Sequence, residues 1–126
     1  MQFHYVTTRQ APAPVGPYSQ AVVAGELIFC SGQIALDPAD ATLAATTVRG
    51  QTARVMANLA AVLASQGLTL LALVKTTVFL TSMDHYAEFN AEYEKALEGH
   101  KPARSVVEVG ALPKGALVEV EGIACR

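Results

Sequence analysis

Charge is what this sequence has least of. Asp, Glu, Lys and Arg make up 16% of its 126 residues, against about a quarter in an average soluble domain. A chain this small with so few charges cannot cover its whole surface with polar groups, which points to part of that surface being buried in an oligomer. The charges present sum to −2, the pI is about 5.9, and no window gathers lysine and arginine. A phosphate backbone would find no basic field here, which argues against nucleic acid as a partner. Long apolar runs are missing as well. The longest, LAAVLA at residues 59–64, is far too short to span a bilayer, so no membrane association is expected. The start, MQFHYVTTRQ, lacks the basic region and apolar core of a signal peptide. Only two cysteines occur, Cys30 and Cys125, both in apolar strand-like runs. Together these features describe a cytoplasmic protein with reduced thiols, each cysteine serving as a buried packing residue.

Motifs for several chemistries are also absent. His4, His85 and His100 are too scattered for a local metal site, and no histidine lies beside a cysteine in ligand spacing. There is no phosphate loop, no glycine-rich dinucleotide turn and no G-x-S-x-G elbow. The residues leave cofactor-free chemistry, or none.

What is present reads as one domain over residues 1–126, without repeats or linkers. APAPVGP at 11–17 carries three of the six prolines and predicts an extended loop. Two β-rich runs flank Ala24, Gly25 and Glu26, predicting a hairpin. From 46 to about 66, Val48, Val55, Met56, Leu59, Val62 and Leu63 recur at helical spacing, and Gly67 ends the helix. LALVKTTVFLTS then predicts a buried strand. A second helix over 84–98 puts Tyr86, Phe89, Tyr93 and Leu97 on one stripe. ARSVVEVG and ALVEVEGIACR close the chain as two strands joined by a turn at LPKG. The order β-β-β-α-β-α-β-β implies an α+β domain: one mixed sheet with both helices on one face and the other face bare.

Polar residues set against apolar strands are the candidates for chemistry. In LVEVEGIAC, Glu119 and Glu121 share a face with Leu117 and Ile123. A buried carboxylate needs a cationic partner, and Arg104 in the neighbouring strand is the natural one. The alternative is a solvated face with a surface ion pair. In HKPARSVVEV, at 100–109, Pro102 suits the mouth of a strand but not a central ladder. Arg104 follows it, either as an ordinary exposed arginine or as a charge presented from a rigid place. SGQ at 31–33 ends a strand, where Gly32 permits close backbone approach. Asn90 sits mid-helix, facing solvent or a ligand.

Five stretches, GPYSQAV, SGQIALDP, VKTTVFLTSMDHYAEFN, HKPARSVVEV and LPKGALVEVEGIA, occur in an order that resembles the RidA/YjgF/YER family of reactive intermediate deaminases. Older names for its members include L-PSP endoribonuclease and translation inhibitor. The resemblance spans essentially the whole chain. It implies a chorismate-mutase-like α+β fold, with a six-stranded sheet and two helices on one face, assembled as a homotrimer with sites in the clefts between subunits. It further implies hydrolysis of 2-iminobutanoate and 2-iminopropanoate to 2-keto acids and ammonia, without metal or organic cofactor. On this resemblance Arg104 grips the substrate carboxylate and Glu119 holds and activates water. Tyr18 and Asn90 are polar wall residues, Gly32 is a backbone donor, and Ser31 lies beside it.

This sequence departs from the family pattern at two places. Val106 stands where many members carry cysteine. The change is mild if only its backbone N–H faces the substrate, and it removes any catalytic thiol at that position. The 37–47 loop lacks the frequent Thr-Gly-Glu turn, a change expected to stay on the surface. Two other functions remain open: a trimer that binds small carboxylates as a sensor or chaperone, and more remotely an endoribonuclease. Glu119 speaks against the first, since a carboxylate binder has little use for a second carboxylate. The acidic composition and the lack of a His pair speak against the second.

Overall fold

The computed structural model describes residues 2–126. Six strands and two α-helices follow in the order anticipated: β1 Phe3–Val6, β2 Ala21–Ala24, β3 Leu27–Gln33, α1 Val48–Ala64, β4 Leu73–Leu80, α2 Tyr86–Leu97, β5 Ala103–Glu108 and β6 Val118–Cys125.

Local chemistry sets the boundaries tighter than periodicity does. Thr47 takes an extended conformation and its side chain accepts from the Gly50 N–H, so α1 starts after it rather than at 46. The helix ends in a tight turn in which Leu68 N–H donates to Leu63 O, with Gly67 at a φ of +75°. Before β4, the Thr69 side chain caps a single 3₁₀ turn over Leu70–Ala72, which delays the strand to Leu73. Ser82 does the same before α2, accepting from Asp84 N–H, so residues 83–85 form a 3₁₀ turn outside the α-helix.

The sheet order is β1-β2-β3-β6-β4-β5. Every pairing is antiparallel except β4 with β5, which α2 joins as a crossover. This corrects one expectation. β4 lies between β5 and β6, so Arg104 is not on a strand beside Glu119.

Alternation then sorts the side chains. Val118, Val120 and Ala124 point inward with Val78, Ile28 and Val23. Against them pack Val55, Met56, Leu59, Val62 and Leu63 of α1 and Phe89, Tyr93 and Leu97 of α2. Both helices cover this one face. On the other, Tyr5, Val22, Phe29, Ile123 and Lys75 stand in one cross-strand row. Tyr5 is 66% exposed and Phe29 44%, far more than rings of that size show in a core. The bare, weakly charged face inferred from composition is therefore present.

The two cysteines divide between the faces. Cys30 is buried, and burial pushes its thiol up to about 11. Cys125 is exposed, contrary to expectation, because the last residue of β6 falls on the outward side of the alternation.

Buried amides fasten the loops. Gln20, 2% exposed, donates through Nε2 to the carbonyls of Thr8, Ala11 and Pro12, while its Oε1 accepts from Thr8 N–H. Asn58 donates to Ile34 O and Leu36 O, and Gln51 bridges Ala45 O and Leu117 N–H. Gln20→Leu preserves volume but strands four backbone groups. It is expected to cost about 2–4 kcal/mol, read as a lower urea midpoint at unchanged m-value.

Candidate active site

Arg104 occupies the second position of edge strand β5, directly opposite Thr76 of β4. Both side chains point toward α2. Arg104 Nη1 donates to Asn90 Oδ1 at 2.8 Å, and Nη2 donates to the Tyr86 hydroxyl at 3.1 Å. Its guanidinium carbon lies 5.0 Å from the Tyr93 ring centroid, 5.7 Å from that of Tyr86 and 6.0 Å from that of Phe89, within cation–π range. Tyr86, Asn90 and Tyr93 meet it because residues four and three apart share one helix face. Tyr93 is anchored in turn by a 2.7 Å hydrogen bond between its hydroxyl and Thr76 Oγ1. Asn90 thus serves first as the holder of Arg104.

Among the described residues no carboxylate pairs with Arg104. Among the described residues the ion pair is Arg49 with Glu92, at 3.8 Å. Guanidinium has five N–H donors in a planar fork, so donors beyond the two holding it remain for a ligand carboxylate. A groove of about 360 Å³ opens beside it, between Asn90, Tyr93, His100, Pro102 and Arg104.

Glu119 stands on the other side of the sheet. It is half-buried at a small pocket of about 70 Å³ formed with Tyr18, Gly32, Ile34, Leu36 and Lys114. Burial, and then the like charge of Glu121, hold its carboxyl above the usual glutamate range. The β3–β6 register breaks between Cys30 and Gln33, and Gly32 falls in that gap. A Cβ on Gly32 would lie 2.9 Å from Glu119 Cδ and 3.2 Å from its Oε2. Only glycine lets the carboxylate rest against β3 at this point.

The other expected residues are placed as follows. Tyr18 lines the Glu119 pocket, its hydroxyl accepting from Val15 N–H at 3.4 Å. Ser31 Oγ donates to Ser19 O at 2.6 Å, and Ser31 N–H donates to Gln20 O. Ser31 therefore fixes the segment that carries Tyr18. Val106 shares the Arg104 side of β5 and packs half-buried against the core opposite Val78. It lines neither cavity.

Arg104 and Glu119 are thus half-sites on opposite faces of one sheet, and no single copy brings them together. The expected internal pairing of Arg104 with Glu119 or Glu121 fails for that reason. Sequence reading missed Tyr86, Tyr93 and Thr76 as the frame of Arg104. Their only signal was the helical stripe, which read as core. Lys114 was read only as part of a turn. No group of three His, Cys, Asp or Glu that could hold a metal ion occurs among the described residues. Nor is any helix among them long and apolar enough to cross a membrane.

The fold and its two clefts define a small α+β domain with polar half-sites on both faces of its sheet. The chain belongs to the Rid family: the family model described as Endoribonuclease L-PSP matches residues 8–126. It is 40% identical to the 2-iminobutanoate/2-iminopropanoate deaminase of Mus musculus, over 96% of this chain and 90% of that protein. It superposes on the Rid-family protein YyfA from Yersinia pestis with a TM-score of 0.95 at 41% identity, over 99% of this chain and 100% of the other. E. coli TdcF with bound serine gives 0.93 at 34% identity, over 98% of both chains.

The Gly32–Glu119 contact yields a sharp expectation. A methyl at position 32 displaces a mobile side chain rather than backbone, so Gly32→Ala should cost about 1 kcal/mol of stability or less. It moves the carboxylate, however, and if Glu119 holds water as the family resemblance implies, turnover should fall by about tenfold or more. Thermal melting and steady-state kinetics on the same sample separate the two effects.

Proposed function

We propose that this chain hydrolyses small 2-imino acids to 2-keto acids and ammonium, at sites formed between copies of a homotrimer. The observation that carries the reading is the division of labour across the sheet. One face offers a guanidinium with open donors and the other a half-buried carboxylate, so a complete site needs Arg104 from one copy and Glu119 from the next. The bare sheet face supports the assembly, and the deaminase relative from mouse supports the reaction class.

In this mechanism Arg104 holds the substrate carboxylate by two parallel hydrogen bonds, a geometry lysine cannot supply. The protonated imine carbon is the electrophile. Water held by Glu119 adds to it, giving up one proton to the carboxylate as the C–O bond forms. That proton returns to nitrogen. As the C–N bond breaks, the hydroxyl gives its own proton back to the Glu119 carboxylate, leaving the ketone and an ammonia that takes up this proton and departs as ammonium. Fixing water and substrate against each other removes much of the entropic barrier. Burial suits Glu119 to the task, because a base whose pKa lies nearer the working pH is a stronger one.

The test generates 2-iminobutanoate from threonine with a dehydratase and traps it with semicarbazide. Wild type should suppress the semicarbazone, while Arg104→Ala and Glu119→Ala each lose about a hundredfold or more. Oligomers co-assembled from equal amounts of the two variants should recover about a quarter of wild-type activity, because that share of interfaces pairs an intact Arg104 with an intact Glu119. Inert wild type that still binds 2-oxobutanoate would mark a carboxylate-binding protein, and mixed oligomers without recovery would sink the shared site.

The raised pKa of Glu119 has a definite sign. The base works ionised, so kcat/KM should fall as pH drops through a value above the 4.5 of an ordinary glutamate. Glu121→Gln removes the like charge and should move that limb down, by less than burial raised it. For stability, the ionised form is the disfavoured one in the folded state. The penalty is absent below the ordinary glutamate value and appears as pH rises through the folded one. Glu119→Gln should therefore raise the melting temperature at pH 8 and change it little at pH 4.

A further inference from the structure

Three non-glycine residues take a positive φ among those described: Ala41 at 60°, Glu98 at 52° and Lys114 at 58°. Glu98 is the C-cap of α2, a common place for that conformation. The other two close no helix of this kind. They lie 73 residues apart and meet through one hydrogen bond, from Lys114 Nζ to Ala41 O at 3.0 Å. Left-handed backbone is unfavourable for a residue with a Cβ and persists where the surroundings over-determine it. Here both strained positions serve the two ends of one contact.

The acceptor end is rigid. Within residues 37–42, Asp37 N–H donates to Thr42 O, Ala41 N–H donates to Asp37 O, and the Asp37 and Asp40 carboxylates accept from the Ala39 and Thr42 N–H groups. The donor end belongs to the Glu119 pocket, of which Lys114 is the one cationic lining residue among those described. Arg104 is on the opposite face, and the described ion pair, Arg49–Glu92, does not involve Lys114. Its ammonium has three donors, and the tether to Ala41 uses one.

A 2-imino acid carries a carboxylate, and the pocket it must enter is lined by the carboxylate of Glu119, with the like charge of Glu121 close enough to act on it. We propose that Lys114, held at the pocket rim by its tether to Ala41, is the positioning cation that admits the anionic substrate to the Glu119 pocket. The proposal rests on the reading of this pocket as a 2-imino acid site. Lys114 acts on encounter and binding, and Arg104 remains the clamp at the reacting centre.

The test uses 2-oxobutanoate and its uncharged analogue 2-oxobutanamide as ligands of the assembled protein. Dissociation constants are measured for wild type, Lys114→Gln, Lys114→Arg and Lys114→Gly in 20 mM and 1 M NaCl. Lys114→Gln should weaken 2-oxobutanoate about three- to tenfold at low salt, and the gap should close at 1 M, where the screening length is about 3 Å. The amide should be unaffected, Lys114→Arg should bind as wild type, and kcat on 2-iminobutanoate should hold while KM rises. Lys114→Gly accepts the left-handed backbone, so it should melt no lower than wild type yet bind like Lys114→Gln.

Unchanged 2-oxobutanoate affinity in Lys114→Gln, an equal loss for the amide, or a loss that salt does not touch would each overturn the proposal, as would a wild type that does not bind 2-oxobutanoate. If binding depends on Lys114 but wild type leaves 2-iminobutanoate untouched, the deaminase reading falls and the role of Lys114 in carboxylate binding stands.

Discussion

Side chains alternate across a pleated strand, and in this sheet helices cover only one of the two faces. Most of the molecule's character depends on that constraint. Because α1 and α2 occupy the same side, Val118, Val120 and Ala124 enter the core while Glu119, Glu121 and Ile123 are turned out. Arg104, opposite Thr76 in edge strand β5, falls on the helix side. A one-residue slip of β6 would bury its carboxylates in the core, and one of β5 would turn Arg104 away from α2. The buried valines enforce the register, and the register places the charges.

In the function proposed above, the two half-sites solve opposite physical problems. An arginine that binds a carboxylate must be rigid before the ligand arrives, since ordering a long side chain costs about 2 kcal/mol. Asn90, Tyr86 and the flanking rings of Tyr93 and Phe89 supply that order during folding. A glutamate that activates water must instead be partly stripped of solvent without gaining a cationic partner that would hold its pKa down. The missing side chain at Gly32 makes room for Glu119 against β3, and Glu121 adds repulsion rather than neutralisation. The loops that close the pocket are held by buried amides, chiefly Gln20, so the uncharged part of the structure keeps the charged part in place.

Much of this was legible in the amino-acid order. Periodicity marked six strands and two helices, and scarce charge marked a sheet face left bare. The motifs around Tyr18, Gly32, Asn90, Arg104 and Glu119 marked the polar groups. Other features were illegible because they depend on strand order. β5 and β6 follow one another in sequence, yet β4 lies between them, so the apparent pairing of Arg104 with Glu119 dissolved. Cys125 looked like Cys30 in its local sequence and ended on the opposite face. Tyr86 and Tyr93 read as core because a helical stripe does not reveal what its hydroxyls meet.

By itself the sequence determined which residues form each element, which carry charge, and that a face would be left bare, because periodicity and composition are local properties of the chain. The tertiary structure alone decided which charges meet. It set Arg104 and Glu119 on opposite faces, gave Arg104 an aromatic frame and joined Lys114 to Ala41 across 73 residues. Those outcomes follow from strand order and face, and neither is written in any local stretch.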